Sequence, residues 1–119
     1  MDSILCANMP EKHRIVRVVD IDGTLLEKVS PEYYLSAKAF PKAVQTVNQW
    51  YEKGDYIVLW TARSDFLRKF TINQLAREGI KYHELHMNKP YTHNMHIYDD
   101  NNITFHRIDR KVGLDEDLL

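Results

Sequence analysis

Short β-branched apolar runs alternate along this chain with stretches whose apolar residues recur every three to four positions. Ile15-Val16-Arg17-Val18-Val19-Asp20 is brief, apolar and bounded by Asp, Gly and Thr, which predicts a mostly buried strand. Residues 25–40 hold no clean period and read as an excursion over the surface. Pro41 suits the first turn of a helix, Val44, Val47, Trp50 and Tyr51 follow at helical spacing, and Gly54 stands where a C-terminal cap belongs. Residues 56–60 predict a second buried strand that ends in Thr61-Ala62-Arg63. Ser64 or Asp65 caps a second predicted helix that runs to about Glu78 and closes at Gly79. Residues 82–86, 95–98 and 103–108 are further strand candidates. Residues 1–14 form a polar lead-in, and the tail from Arg110 reads as a helical turn or a disordered end.

Strand, helix, strand, helix, strand, loop, strand is the order that builds a mainly parallel sheet covered by helices, an α/β fold. In such sheets ligands sit beyond the carboxyl ends of the strands. Asp20, Thr61 and the Asp99-Asp100 pair stand at those ends here, with Lys89 in the loop before the last of them. A polar cluster is therefore assembled by topology rather than by proximity in sequence.

Composition narrows the picture. The chain has 119 residues and 14.1 kDa, 44% hydrophobic and 28% charged, as expected of one folded domain. Its 16 Lys and Arg against 17 Asp and Glu give a formal charge of −1, which argues against a dedicated nucleic-acid or anionic-membrane binder. Cys6 stands alone, so no intrachain disulfide forms. The longest apolar run, at 56–60, is far short of the roughly 20 residues of a membrane helix, and no secretory leader pattern opens the chain. The expectation is a cytoplasmic protein.

Val18-Val19-Asp20-Ile21-Asp22-Gly23-Thr24-Leu25 carries the strongest chemical signal. Carboxylates at i and i+2 after a strand project to one side, close enough to share a small hard cation. Left uncompensated they repel, and desolvating them is costly. Gly23 permits a backbone turn that other residues resist. The plainer alternative is an Asp-Gly turn in a hairpin.

This stretch resembles motif I of the haloacid dehalogenase (HAD) superfamily, DxDGT. Leu59-Trp60-Thr61 resembles its motif II, Lys89 stands where the motif III lysine belongs, and Ile97-Tyr98-Asp99-Asp100 resembles the acidic pair of motif IV. The likeness covers about residues 15–105. A narrower resemblance links Trp60-Thr61-Ala62-Arg63, the stretch from Gly79 to Leu85, and Asn88-Lys89-Pro90 to small HAD phosphatases encoded near capsule and surface-sugar genes. The superfamily likeness implies a three-layer Rossmann-like core. It also implies a Mg²⁺-dependent phosphomonoester hydrolase acting through an aspartyl-phosphate.

Under the resemblance each residue has a role. Asp20 is the nucleophile, and Asp22 is the general acid and then the general base. Asp20, the main-chain carbonyl of Asp22 and the Asp99 carboxylate hold Mg²⁺. Thr61 and Lys89 stabilise the phosphoryl group. Gly23, Thr24, Ala62 and Arg63 join Thr61 and Lys89 around the substrate. Asp100 orients Lys89 or a metal-bound water. Arg63 either contacts substrate or pairs with Asp65.

Other features have plainer readings. The spacings His83-x2-His86 and His93-x2-His96 look like zinc ligands on paper, but positions i and i+3 of a strand face opposite ways, which marks these as surface or loop histidines. Trp50, Tyr51, Trp60, Phe66 and Phe70 belong to the core or to a subunit contact. Tyr33 and Tyr34 line the substrate mouth or merely decorate a loop. No segment is long enough for a cap, so the site is open, which favours an oligomer whose neighbour supplies a wall. The substrate expected is a phosphorylated small molecule, a sugar phosphate first, with no nucleic acid and no membrane as partner. A nucleotide or nucleic-acid-end phosphatase and a non-catalytic phosphate binder are the rivals.

Overall fold

The structure, a computed structural model, describes residues 14–119. The lead-in expected over 1–14 thus lies outside the described residues, Arg14 excepted, as does Cys6. Strands β1 (Val16–Val19), β2 (Tyr56–Trp60) and β3 (Glu84–His86) form a parallel sheet in the order β1-β2-β3. Helix α1 (Pro41–Glu52) makes the crossover from β1 to β2. A 3-10 turn (Asp65–Leu67) and α2 (Arg68–Arg77) make the next one. Pro41 starts α1 as the sequence signals, whereas the Ser64 hydroxyl, accepting from the Phe66 amide at 3.3 Å, caps the 3-10 turn, and α2 itself begins only at Arg68. This is the expected α/β class, a small Rossmann-like capless core.

Register explains which residues are buried. Arg17 pairs with Ile57, and Val19 with Leu59, which pairs in turn with Leu85. In a parallel ladder paired residues share a face, and this face carries the core: Val19, Ile57, Leu59 and Leu85 pack with Val47 and Trp50 of α1 and Leu75 of α2. Arg17 extends over the Trp50 ring at 4.3 Å. The opposite face holds Val16, Val18, Val58 and Trp60, and Val18 is 59% exposed. The expectation of a mostly buried β1 is corrected accordingly: only Val19 of this strand is buried.

Residues 95–98 and 103–108 form no strands. Met95, Ile97, Tyr98, Ile103 and Phe105 are exposed. Polar side chains around them bond to nearby backbone instead: the Asn94 amide donates to Thr92 Oγ1 and the Asn101 amide to Asp99 Oδ1. Such local bonds satisfy backbone groups without a ladder. Phe66, at 94% exposure, and Phe70 are likewise outside the core, because α2 turns Thr71, Gln74 and Leu75 inward instead.

The excursion at 25–40 is ordered. Its ends meet where the Phe40 amide donates to the Leu25 carbonyl and the Glu27 amide to the Lys38 carbonyl, and a 3-10 turn (Pro31–Ser36) forms its tip. The tail is ordered too. Leu114 is buried, and its amide donates to the Thr24 carbonyl at 2.8 Å. Lys42 pairs with Asp117 at 2.8 Å, and a last 3-10 turn spans Glu116–Leu118. Gly113 makes this docking possible: its φ is +79°, and a Cβ there would stand 2.2 Å from the Phe40 ring.

His83 bridges the strand region to α1. Its ring lies between Tyr51 and Tyr56, with centroids 4.6 and 4.4 Å away, and its Nδ1 accepts the Ile57 amide at 2.9 Å. Desolvation between the rings, then the Arg14 charge, pushes its pKa below 6.5, against the opposing pull of Glu84.

Gly113→Ala is expected to destabilise by about 2 kcal/mol or more through overpacking and positive φ, a loss of roughly 8 °C in Tm by thermal circular dichroism. The His83 shift has a defined sign. The fold favours neutral His83, so its contribution is complete above the ordinary value of 6.5 and fades as pH falls through the lower folded value. Tm measured from about pH 7.5 to 5 should therefore decline. His83→Phe, which keeps the stack but not the acceptor, should start lower and decline less.

Candidate active site

All three strands of the sheet point their carboxyl ends the same way, so the residues after β1, β2 and β3 meet at one edge. After β1, Ile21 collects the amides of Thr24, Leu25 and Leu26 on its carbonyl, at 3.1, 2.9 and 3.0 Å. Gly23, at φ +89°, closes this loop by donating to the Leu26 carbonyl at 2.7 Å. The loop holds Thr24 under Asp20, with Thr24 Oγ1 3.4 Å from Asp20 Oδ2.

The loops after β2 and β3 are laced together. The Thr61 amide donates to the His86 carbonyl, the Lys89 amide to the Thr61 carbonyl, and the Asn88 amide to the Arg63 carbonyl, each at 2.9 Å. Asn88 adopts φ +61°, and its Oδ1 accepts the Asp65 amide at 3.0 Å. This lacing carries Lys89 across to β1, where Nζ stands 3.0 Å from Asp20 Oδ1 and 5.7 Å from the centre of the Trp60 ring. Asp20 is thus a partly exposed carboxylate with an ammonium on one oxygen and a hydroxyl by the other. Thr61 is fully buried, and its Oγ1 accepts the Arg63 amide at 3.1 Å. That arrangement leaves its own O–H to donate elsewhere.

Arg63 is the surprise. It does not pair with Asp65, whose carboxylate takes Arg68 at 3.0 Å. Its side chain has no exposed surface and forks onto Asp22, Nη2 to Oδ1 at 2.8 Å and Nε to Oδ2 at 3.0 Å. Nη1 continues to Thr71 Oγ1 at 3.1 Å and Gln74 Oε1 at 2.8 Å, and the guanidinium carbon lies 4.6 Å from the Tyr34 ring centre. A buried guanidinium needs its charge matched and its N–H groups accepted, and this setting does both. Asp22, Thr71, Gln74 and Tyr34 therefore form one buried polar unit. Sequence reasoning missed Thr71 and Gln74. The available signal was a pair of polar residues three apart beside Leu75, on the inward side of a helix.

The structure gathers Asp20, Asp22, Thr24, Thr61, Arg63 and Lys89, with Gly23 and Ala62 in the adjoining loops. It does not bring Asp99 or Asp100 to them. Both are exposed, in the segment that forms no strand, and Asp99 is turned to its own loop. No group of three His, Cys, Asp or Glu side chains able to hold a metal ion forms among the described residues. The expected Mg²⁺ cage is thus incomplete: Asp20 and the Asp22 carbonyl are present, and the third donor is elsewhere. His86 meets Glu84 Oε1 at 2.7 Å, and the expected surface role of the paired histidines stands for it and His83.

Comparison with known proteins places the fold. A crystal structure of a Vibrio cholerae protein superposes with a TM-score of 0.57 at 18% identity, covering 72% of this chain and 79% of that one. A chain of the Pnkp1/Rnl/Hen1 complex gives 0.57 at 20% identity, over 71% of this chain and 32% of that chain. A second structure, titled as the Pnkp1/Rnl/Hen1 RNA repair complex, gives 0.55 at 22% identity, over 71% and 29%. At these identities the likeness is one of fold. No curated protein matches. The family model described as PITM 1-3, LNS2 domain, matches residues 17–112, a HAD-like family that is not specific to capsule genes. The chain belongs to the LNS2 domain family, within the HAD-like superfamily.

Proposed function

We propose that this chain is a phosphomonoester hydrolase with Asp20 as its nucleophile. The observation that supports this most is the Asp20–Lys89 pair, 3.0 Å apart at the strand ends, in a HAD-like fold. In the first step an Asp20 oxygen forms a bond to phosphorus as the ester bond breaks, and Asp22 gives the departing oxygen its proton. In the second, water attacks phosphorus, Asp22 takes the proton, and the Asp20–phosphorus bond breaks to release phosphate.

Electrostatics sets the demand on the rest of the site. A carboxylate about 4 Å from one unit of phosphate charge is repelled by roughly 4 kcal/mol at an effective dielectric near 20. Lys89 offsets about one charge of a dianion, and Thr61 and Thr24 contribute hydrogen bonds. Mg²⁺ would supply the remaining positive charge. The donors brought together do not complete its cage, so the roles above are confined to Asp20, Asp22, Thr24, Thr61 and Lys89.

The substrate class we favour is a sugar phosphate or a related small metabolite, in keeping with the near-neutral chain. A nucleic-acid-end phosphatase is the second reading. It draws on the fold shared with chains of an RNA repair complex and on an open site that admits a large substrate.

A panel of sugar phosphates, nucleotides and a 3′-phosphorylated oligonucleotide, assayed in Mg²⁺, tests these readings. Asp20→Asn should lower turnover on every substrate by more than about 10³-fold with the circular dichroism spectrum unchanged, and Lys89→Ala by about 10²-fold. Wild-type rates in Asp20→Asn would remove the nucleophile. Phosphate binding without turnover in the native chain would favour a non-catalytic binder, and preference for the oligonucleotide with a steep salt dependence would favour the second reading.

A further inference from the structure

Gln74 joins the Asp22–Arg63 pair by hydrogen bonds to the loop after the first motif. Its Oε1 accepts Arg63 Nη1 at 2.8 Å, while its Nε2 donates to the Tyr34 carbonyl at 2.7 Å and the Ala37 carbonyl at 3.2 Å. It is 1% exposed. This pattern admits only one orientation of the amide, since the reverse would set NH₂ against the guanidinium and oxygen against two carbonyls. The Tyr34 ring covers the guanidinium 4.6 Å away. The chain from Asp22 through Arg63 and Gln74 to the Tyr34 and Ala37 carbonyls is thus continuous, and Arg63, Gln74 and Ala37 are buried.

We propose that Gln74 is a positioning residue. It holds the Arg63 fork, and through it Asp22, in register with loop 31–37, so that the placement of the acid–base group depends on how that loop is seated. The inference rests on the phosphatase reading for its kinetic consequence but not for its structural one. Each Asp22 oxygen accepts from a separate Arg63 nitrogen, so rotation of the guanidinium must turn or release the carboxylate. Thr71 holds the same Nη1 as Gln74 but makes no bond to the loop among the described contacts, so the hydrogen-bonded coupling runs through Gln74, beside the direct contact of the Tyr34 ring.

Gln74→Glu tests this in the full chain. The carboxylate still accepts from Arg63 but meets the Tyr34 and Ala37 carbonyls with oxygen. Hydrolysis of p-nitrophenyl phosphate should lose about tenfold or more in kcat, with KM changed less than about twofold. The Arg63 Nε–H signal of ¹⁵N-labelled protein should shift and exchange faster with solvent. Should Gln74→Glu not fold, Gln74→Asn keeps the amide but cannot span both partners, and the same two changes are expected. Wild-type kcat in a folded variant would overturn the proposal. So would an unchanged Arg63 Nε–H signal, even if turnover fell. If the native chain hydrolyses no phosphate ester, the phosphatase reading fails, and the Arg63 signal alone decides the positioning role.

Discussion

A guanidinium with no exposed surface imposes terms on everything around it. Arg63 leaves a β-strand end and enters the interior, where an unpaired charge would cost several kcal/mol. Its satisfaction requires a carboxylate from the loop after β1 and polar partners from α2, with a ring from the 25–40 excursion over its face. These segments are far apart in sequence, and they share the core as well as the charge, with Ile21, Leu25, Ala37 and Leu75 packed in one cluster. Asp22 in turn becomes part of the interior architecture, while Asp20, two residues earlier, stays partly open with Lys89. Two carboxylates of one short motif thus receive opposite environments, one matched by a buried fork and one by a partly exposed ammonium.

The fold was legible wherever a periodic pattern coincided with a terminator. Pro41 and Gly54 bracket α1, Ser64 and Gly79 bracket the 3-10 turn and α2 together, and the run from Tyr56 to Trp60 is β2. The pattern was misleading where apolar residues lacked a partner strand. Ile97 and Phe105 look like strand residues in isolation, but a strand exists only when a neighbour accepts its backbone, and no local pattern reveals whether one will. The tail, read as a helical turn or a disordered end, takes the first form, a 3-10 turn at Glu116–Leu118, and Leu114 is buried against the loop after β1, a contact set by one apolar residue and one glycine.

The candidate site divides in the same way. Asp20, Asp22, Thr61 and Lys89 were legible because their order matches a known set of motifs, and Lys89 arrives beside Asp20 by the lacing of two loops. The destiny of Arg63 was not legible. Nothing in Thr61-Ala62-Arg63 distinguishes an arginine that reaches outward from one that turns inward, because the deciding partners, Thr71 and Gln74, are ordinary polar residues until the helix phase is known. Asp99 illustrates the opposite failure: the residue type suits the role, but the backbone that should carry it to the strand ends does not form.

The bond from the Leu114 amide to the Thr24 carbonyl has a consequence for the order of assembly. The loop bearing Asp22 leaves the ribosome some ninety residues before Leu114, which braces it. A nascent chain can nucleate its central strands and helices long before that brace exists. Bracing of the loop after β1 is therefore a late event, separated in time from the acquisition of the scaffold.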